Sequence, residues 1–484
     1  MSLLFKNFIN GEFVDAQDSN RLDNFNPSTG QVYSQVVSST QADVEMAVRA
    51  AEEAASHWRG LSQAERSGWL RKIADAIDEN SENLAELESR DQGKPLSLAR
   101  SVDIPRAASN FRFFAGALEH HLEQASSMDD KALNYSRREP VGVCGLISPW
   151  NLPLYLLTWK IAPAIACGNT CVAKCSELTP ATANAFCSIL REIDFPEGVV
   201  NLVHGLGVNV GRALSSHPRI PLISFTGSTP TAVDIQTQAA PYFKKLSLEL
   251  GGKNPNIIFD DADLEMAVEQ SVRAAFTNQG EICLCGSRLL VQETIYEHFK
   301  TSFLKRVQSL KTGDPFDPAT NMGALVSAGH RDKVLGYVQK ARDLGGRILC
   351  GGKPPELSAA FEDGYFLEPT VIEGLDQHCE VIQEEVFGPV VTLQSFRDES
   401  QALQMANDTT YGLSATFFTR DSARTHRFAS GLKAGIIWVN TWMKRDLKTP
   451  FGGYKASGVG REGGEHSIDF YTESKNICIE IENG

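Results

Sequence analysis

Val141-Gly-Val-Cys-Gly-Leu-Ile147, running into Ser148-Pro-Trp-Asn-Leu-Pro153, is the stretch on which the reading of this chain turns. Its first part is short and apolar, entered through Glu139-Pro140 and stopped at Pro149, as a buried strand would be. The uncharged run continues to Trp159, which is enough to weigh as a membrane span. However, Pro149, Asn151 and Pro153 interrupt it and Lys160 closes it, so it reads as core. Beyond it, short apolar segments at Thr170–Ala173, Val199–Val203 and Pro221–Thr226 alternate with helical patterns at about Leu154–Ala166, Ala181–Arg191 and Asn209–Ser216. This alternation predicts a parallel α/β sheet. A second alternating block opens at Asn254–Phe259 and runs to about residue 440, with strands expected at Arg288–Val291, Arg347–Leu349, Thr370–Ile372, Val390–Phe396 and Gly435–Val439. Two such blocks predict two domains with a cleft between them.

Upstream, Phe8-Ile-Asn-Gly-Glu-Phe-Val14 reads as a hairpin and Asn26-Pro-Ser-Thr-Gly30 as a turn. Gln41–Trp58 is amphipathic, with Val44, Ala47, Val48, Ala51 and Ala55 on one face. Further helices are expected over Gln63–Asn80, Glu82–Asp91 and Leu96–Glu123. Gln124–Arg138 is polar and aperiodic, either a solvated loop or a hairpin arm reaching another subunit. Near the end, Ile477, Ile479 and Ile481 alternate with polar or small residues, giving a strand with one apolar face. Such a strand needs a sheet to join, which a neighbouring subunit can supply.

The chain has 484 residues, 42% hydrophobic and 22% charged, as an ordinary globular protein does. Its net charge of −14 argues against nucleic acid or an anionic membrane as the main partner. The first residues lack the apolar core of a signal peptide. The ten cysteines suggest no disulfide framework, so reduced thiols and a cytoplasmic location are expected. Cys167, Cys171 and Cys175 are evenly spaced, but no histidine lies near them in sequence, and no metal site is expected.

The chemistry centres on Phe276-Thr-Asn-Gln-Gly-Glu-Ile-Cys-Leu-Cys-Gly-Ser-Arg288. A helical pattern over Asp263–Asn278 precedes it, Gly280 ends the helix, and a strand follows, so Cys283 sits on a connection that can face a cleft. A thiol there can act as a nucleophile where its surroundings favour the thiolate. Glu249-Leu-Gly-Gly-Lys-Asn-Pro255 offers a carboxylate with exposed backbone, suited to a general base acting through water. Asn151 provides an amide donor on a proline-fixed loop, suited to an oxyanion. Gly205-Leu-Gly207-Val-Asn-Val-Gly211 and Phe225-Thr-Gly227-Ser228 are strand-to-helix turns of the kind that meet a pyrophosphate, although the first lacks the Rossmann spacing. Lys174 and Glu177 end a strand at the edge where α/β sheets bind ligands. A carboxylate there can accept from a ribose diol and repel a 2′-phosphate.

Together, Pro149-Trp-Asn151, Lys174-x-Ser176-Glu177, Phe225-Thr-Gly-Ser228, Glu249-Leu-Gly-Gly-Lys253, Gly280-Glu-Ile-Cys283, Glu385-Val-Phe387-Gly-Pro389 and Pro450-Phe451-Gly-Gly-Tyr-Lys455 resemble the NAD(P)-dependent aldehyde dehydrogenase superfamily, from Phe8 to Lys475. The resemblance implies an α/β fold: a Rossmann-like NAD-binding domain (1–122 and 141–252), a catalytic domain (253–450) and an oligomerisation arm (123–140 and 465–484). It implies Cys283 as nucleophile, Glu249 as base, Asn151 with the Cys283 backbone N–H as oxyanion donors, and Lys160 and Glu462 in a proton path. NAD is the implied cofactor, bound by Trp150, Lys174, Ser176, Glu177, Gly207, Gly211, Gly227, Ser228, Gly251, Glu385 and Phe387, with Glu385 at the nicotinamide ribose. A homodimer or homotetramer is implied as well.

Two departures stand out. Glu281 replaces the family's usual Gln, which would add charge near the thiol and oppose thiolate formation. Cys175 stands where proline is common. Glu281, Cys285 and the run Leu154–Trp159 look like the 2-aminomuconic (2-hydroxymuconic) semialdehyde subclass. Arg106 and Arg445, with Trp159 and Phe451, are then expected to line the aldehyde tunnel and bind a substrate carboxylate as a guanidinium fork. Other readings are dehydrogenases of other semialdehydes or aliphatic aldehydes, a CoA-acylating relative, which usually lacks the base at Glu249, or a nucleotide-binding structural member, which loss of Cys283 or Glu249 would favour.

Overall fold

The computed structural model describes residues 3–129 and 131–481. Residues 130 and 482–484, which the arm was expected to include, lie outside the described residues.

The first apolar stretch forms the strand Val143–Ile147 at the middle of an eight-stranded sheet. It pairs in parallel with Leu222–Thr226 on one side and Thr170–Lys174 on the other. Lys245–Glu249 and Val200–Leu202 extend the parallel run. Alternation sends successive side chains to opposite faces. Cys144 and Leu146 pack with the helices Gln63–Glu79, Ile104–Glu119, Pro153–Ala166 and Ala181–Glu192, whereas Val143 and Ile147 pack with Gln41–Gly60 and Thr229–Ala239. Both faces are covered, as in a doubly wound sheet. The expected hairpin is present as Asn7–Ile9 and Glu12–Val14 and closes one edge antiparallel; Gly458–Val459 closes the other.

The helices start where capping predicts. Thr40 with Asp43, and Ser62 with Glu65, make reciprocal capping boxes at Gln41 and Gln63. The helix expected over Leu96–Glu123 is broken instead. A short turn at Leu96–Leu98 leads into a π turn at Ala99–Asp103, and the α-helix proper is Ile104–Glu119. Pro105 has no N–H for the α pattern, which relaxes at that point into the wider turn. Past Glu119 most residues are exposed, Leu122 at 85%, and offer no continuous apolar face.

The second block is a seven-stranded sheet, ordered Arg347–Cys350, Thr370–Glu373, Val390–Phe396, Arg288–Gln292, Pro255–Ile258, Ser414–Phe418, Ile436–Val439, parallel except for its first strand. Ser414–Phe418 and Lys245–Glu249 were not expected from the sequence. Gln124–Arg138 resolves as a hairpin arm, Ala125–Met128 and Ala132–Pro140. The terminal strand Thr472–Glu480 pairs with that arm of its own chain, Thr472 opposite Pro140, and forms the edge of the resulting three-stranded sheet. No helix among the described residues is long and apolar enough to cross a membrane.

Candidate active site

Four parallel strands end on one edge of the first sheet, where open α/β sheets hold ligands. Strand Val143–Ile147 leads to Trp150 and Asn151, Thr170–Lys174 to Ser176 and Glu177, Leu222–Thr226 to Gly227 and Ser228, and Lys245–Glu249 ends on Glu249 itself. Trp150, Asn151, Gly227, Ser228, Glu249, Gly251, Cys283, Glu385 and Phe387 all line one cavity of about 240 Å³. A larger groove, about 630 Å³, lies on the surface between helices Leu264–Phe276 and Tyr296–Gln308 and holds none of these residues.

Cys283 reaches the cavity through a tight reversal. The helix ends at Phe276, and Asn278, Gln279 and Gly280 follow with φ of 53°, 55° and 72°. A Cβ at Gly280 would collide with the Gly388 carbonyl, so glycine is required there. Asn254 donates to the carbonyls of Cys283 (2.7 Å) and Cys285 (2.9 Å), which fixes the nucleophile loop. Burial, then Glu385 and Glu249, push the Cys283 thiol up, while Arg445 draws it down. Cys285 is buried behind it.

Asn151 is buried, and its side-chain amide donates to the Glu281 carbonyl oxygen at 2.8 Å. Both Glu249 carboxylate oxygens are buried without a hydrogen-bond partner. Burial and the neighbouring Glu462 hold its carboxyl well above the usual range. Glu462 in turn accepts from Lys160, Ser224 and Ser247, each at 3.3 Å, and from Trp159 Nε1 at 2.6 Å. Glu385 accepts from the Gly252 N–H at 2.9 Å, and burial pushes it up to about 7. A Cβ on Gly251 would strike this carboxylate.

Lys174 pairs with Glu177 at 3.0 Å, and Ser176 Oγ accepts from the Leu178 N–H. Ser228 Oγ caps helix Thr229–Ala239. Lys174, Ser176 and Glu177 stand on the same sheet edge, outside the lining of the cavity. Gly207 and Gly211, in the turn after Val200–Leu202, also lie outside it. Residues missed from the sequence complete the wall. His330 and Lys333 line the cavity, and Trp150 packs edge-on against His330 (5.0 Å) and Phe387 (5.3 Å). Burial holds His330 down at about 4, so it is neutral. Nothing in its local sequence marks it, because the contact is made across more than fifty residues.

Glu281 corrects the sequence reading. Its carboxyl accepts from Gln92 Nε2 (2.6 Å) and the Val326 N–H (3.2 Å), and burial holds it far above the usual range. Burial therefore favours its uncharged form, which weakens the opposition to the Cys283 thiolate that a charge there would bring. Arg106 and Arg445 do converge. Arg106 lies over the rings of Tyr155 (5.2 Å) and Trp159 (5.7 Å), with Nη2 buried and unpartnered. Arg445 lies over Phe451 (4.0 Å) and Trp159 (5.8 Å) and donates to the Tyr155 hydroxyl at 3.0 Å. Tyr155 is the shared platform that sequence reasoning left unassigned.

The arrangement brings a thiol, an unpartnered carboxylate and an amide donor to one cavity at the sheet edge. The family model described as Aldehyde dehydrogenase family matches residues 13–477. The chain is 51% identical over 480 residues to the 2-aminomuconic semialdehyde dehydrogenase of Danio rerio, covering 99% of this chain and 98% of that one. It is 45% identical over 482 residues to the 2-hydroxymuconic semialdehyde dehydrogenase of Pseudomonas sp. (strain CF600), covering 98% and 99%. The NAD+ complex of an aldehyde dehydrogenase from Bacillus cereus superposes with a TM-score of 0.96 at 38% identity, over 99% of this chain and 97% of that one. The protein belongs to the aldehyde dehydrogenase family and is an oxidoreductase acting on aldehydes.

Proposed function

We propose that the protein uses NAD to oxidise a carboxylate-bearing semialdehyde, such as 2-aminomuconic or 2-hydroxymuconic semialdehyde, to the acid through a thioester on Cys283. The observation that carries the substrate class is the convergence of Arg106 and Arg445 on Tyr155 and Trp159. No carboxylate of the protein lies within ion-pair distance of either guanidinium among the described residues. Two cations brought together without a counter-ion favour an anionic ligand. The names of the relatives at 51% and 45% identity support the same class.

The sheet edge fits the cofactor. Helix Thr229–Ala239 presents its N-terminus beside Ser228, and Gly251 leaves room for a ribose at Glu385. Glu177, at the end of its strand, would accept from the second ribose and repel a 2′-phosphate, which favours NAD over NADP. When bound, NAD supplies the hydride acceptor. The Cys283 sulfur attacks the aldehyde carbon, and one Asn151 amide proton with the Cys283 N–H holds the oxyanion. The thioester left on Cys283 is hydrolysed by water whose proton passes to Glu249, and Glu462 with Lys160 lies next along a path inward.

Residues 1–122 and 141–252 then act as the cofactor domain and 253–450 as the catalytic domain. The arm joins subunits in a homodimer or homotetramer, supported by the exposure of Met128, Leu133 and Ile479 on it. The ten cysteines, all free, suit a reducing cytoplasm. The test is NADH formation by the purified protein on a panel of acidic semialdehydes and neutral aldehydes of matched length, with Cys283→Ala and Cys285→Ala alongside. The acidic semialdehydes should be preferred, Cys283→Ala should be inert, and Cys285→Ala should retain most activity. Steady-state turnover by Cys283→Ala would overturn the reading.

A further inference from the structure

The amide proposed as the oxyanion donor is held from two sides by a buried network that the reaction itself does not use. A primary amide has two protons, and Asn151 gives one to the Glu281 carbonyl at 2.8 Å, leaving the other for the cavity. The Glu281 carbonyl also takes the Asn278 amide at 3.2 Å, while its carboxyl is tied to Gln92 and Val326. On the main-chain side, the Asn151 carbonyl accepts from Lys94 Nζ and from Asn278 Nδ2, each at 3.1 Å.

Lys94 is wholly buried. Its ammonium binds Asp103 at 3.0 Å and lies 3.8 Å from Glu88, both also wholly buried. Its own backbone N–H donates to Gln92 Oε1 at 3.1 Å, so the same short segment grips both Asn151 and, through Gln92, Glu281. Burying one ammonium and two carboxylates is costly, and burial raises both acids. Hydrophobic side chains at all three positions would avoid that cost, whereas removing Lys94 alone leaves buried acids without their counter-ion. What the ammonium adds is a charge-assisted donor aimed at one carbonyl, two residues past Pro149.

We propose that Lys94 is a positioning residue for the reaction: by binding the Asn151 carbonyl from the interior, it orients the side-chain amide so that its second proton faces the oxygen of the carbonyl attacked by Cys283. This rests on the oxyanion role proposed for Asn151. A donor displaced by a fraction of an ångström loses most of its effect on a developing charge. Removing an oxyanion donor costs roughly a hundred- to a thousandfold in kcat. Lys94→Met should therefore lower kcat by about ten- to a hundredfold, with KM and NAD affinity little changed.

The test is a cycle of Lys94→Met, Asn151→Ala and the double variant, comparing kcat, KM, NAD binding by fluorescence and the rate of Cys283 alkylation by iodoacetamide. If the proposal holds, the double variant is no slower than Asn151→Ala alone, because Lys94 acts only through that amide. Alkylation should match the parent protein in all three, since the thiol is not the target. Fully additive losses, or a Lys94→Met protein with undiminished kcat, would overturn the role of Lys94 and leave that of Asn151 intact. An unchanged kcat in Asn151→Ala would instead remove the oxyanion assignment and this inference with it. Should Lys94→Met fail to fold, the same cycle in an Asp103→Asn background removes the nearer of the two carboxylates left without a counter-ion, and the same outcomes decide.

Discussion

Replacing Arg445 with alanine removes a guanidinium whose only side-chain hydrogen bond among the described residues is to the Tyr155 hydroxyl, at 3.0 Å. Its remaining contacts are the faces of Phe451 and Trp159, so its charge is left for a ligand. A hydrogen bond to a charged group contributes about 1.5–3 kcal/mol. At about 1.4 kcal/mol per tenfold, kcat/KM for an acidic semialdehyde should fall roughly ten- to a hundred-and-fiftyfold. A neutral aldehyde of the same length lacks the carboxylate and should lose only what the missing packing costs. Arg445→Met keeps a flexible stem over Phe451, so it separates lost packing from lost charge. Arg106→Ala should act in the same direction, because its Nη2 is buried with no partner. Tyr155→Phe removes a single orienting hydrogen bond, about 0.5–1.5 kcal/mol, and should cost about two- to tenfold. The assay is initial-rate NADH formation on both substrates, with circular dichroism to confirm folding. Equal losses on both substrates would mean that the arginines support the fold and do not read the carboxylate.

The Cys283 thiol, raised by burial and then by Glu385 and Glu249, should react slowly with iodoacetamide at neutral pH and faster as pH rises. Glu385→Gln removes a negative neighbour and so lowers the thiol pKa. The gain in alkylation rate should grow above pH 7, where Glu385, itself pushed up to about 7, is charged, and an unaltered rate there would contradict the electrostatic account. Glu249→Ala should release one burst of NADH and leave an acyl group on Cys283, visible by intact-mass spectrometry; with neither burst nor adduct, Glu249 is not the deacylation base. NAD should exceed NADP in kcat/KM, and Glu177→Ala should narrow the gap by about ten- to a hundredfold if a like-charge clash of a few kcal/mol is relieved. Equal efficiency with both cofactors in the parent protein would refute that reading.

The alternation of apolar runs with helical patterns from Val141 onward and the turn glycine Gly280 are local signals, and each was legible in the sequence. The proposed nucleophile, base and amide donor were legible because each stands at the end of an element, beside glycine or proline, and these punctuate a chain. Pairing was less so. The terminal strand was readable as a strand, but its partner 332 residues earlier, Thr472 against Pro140, was a matter of where the chain had already placed its hairpin. Burial likewise decided what Glu281 is. From the sequence it was a charge beside a thiol; inside the protein, desolvation outweighs its hydrogen bonds and favours the uncharged carboxyl. His330 and Lys333, which line the cavity, and Tyr155, which accepts from Arg445, carry no sequence mark of a site, since their neighbours come from other elements. The convergence of Arg106 and Arg445 was expected only by resemblance. The fold brings a helix start and a late loop together at Tyr155 and Trp159, and only that long-range packing makes neighbours of two separate cations.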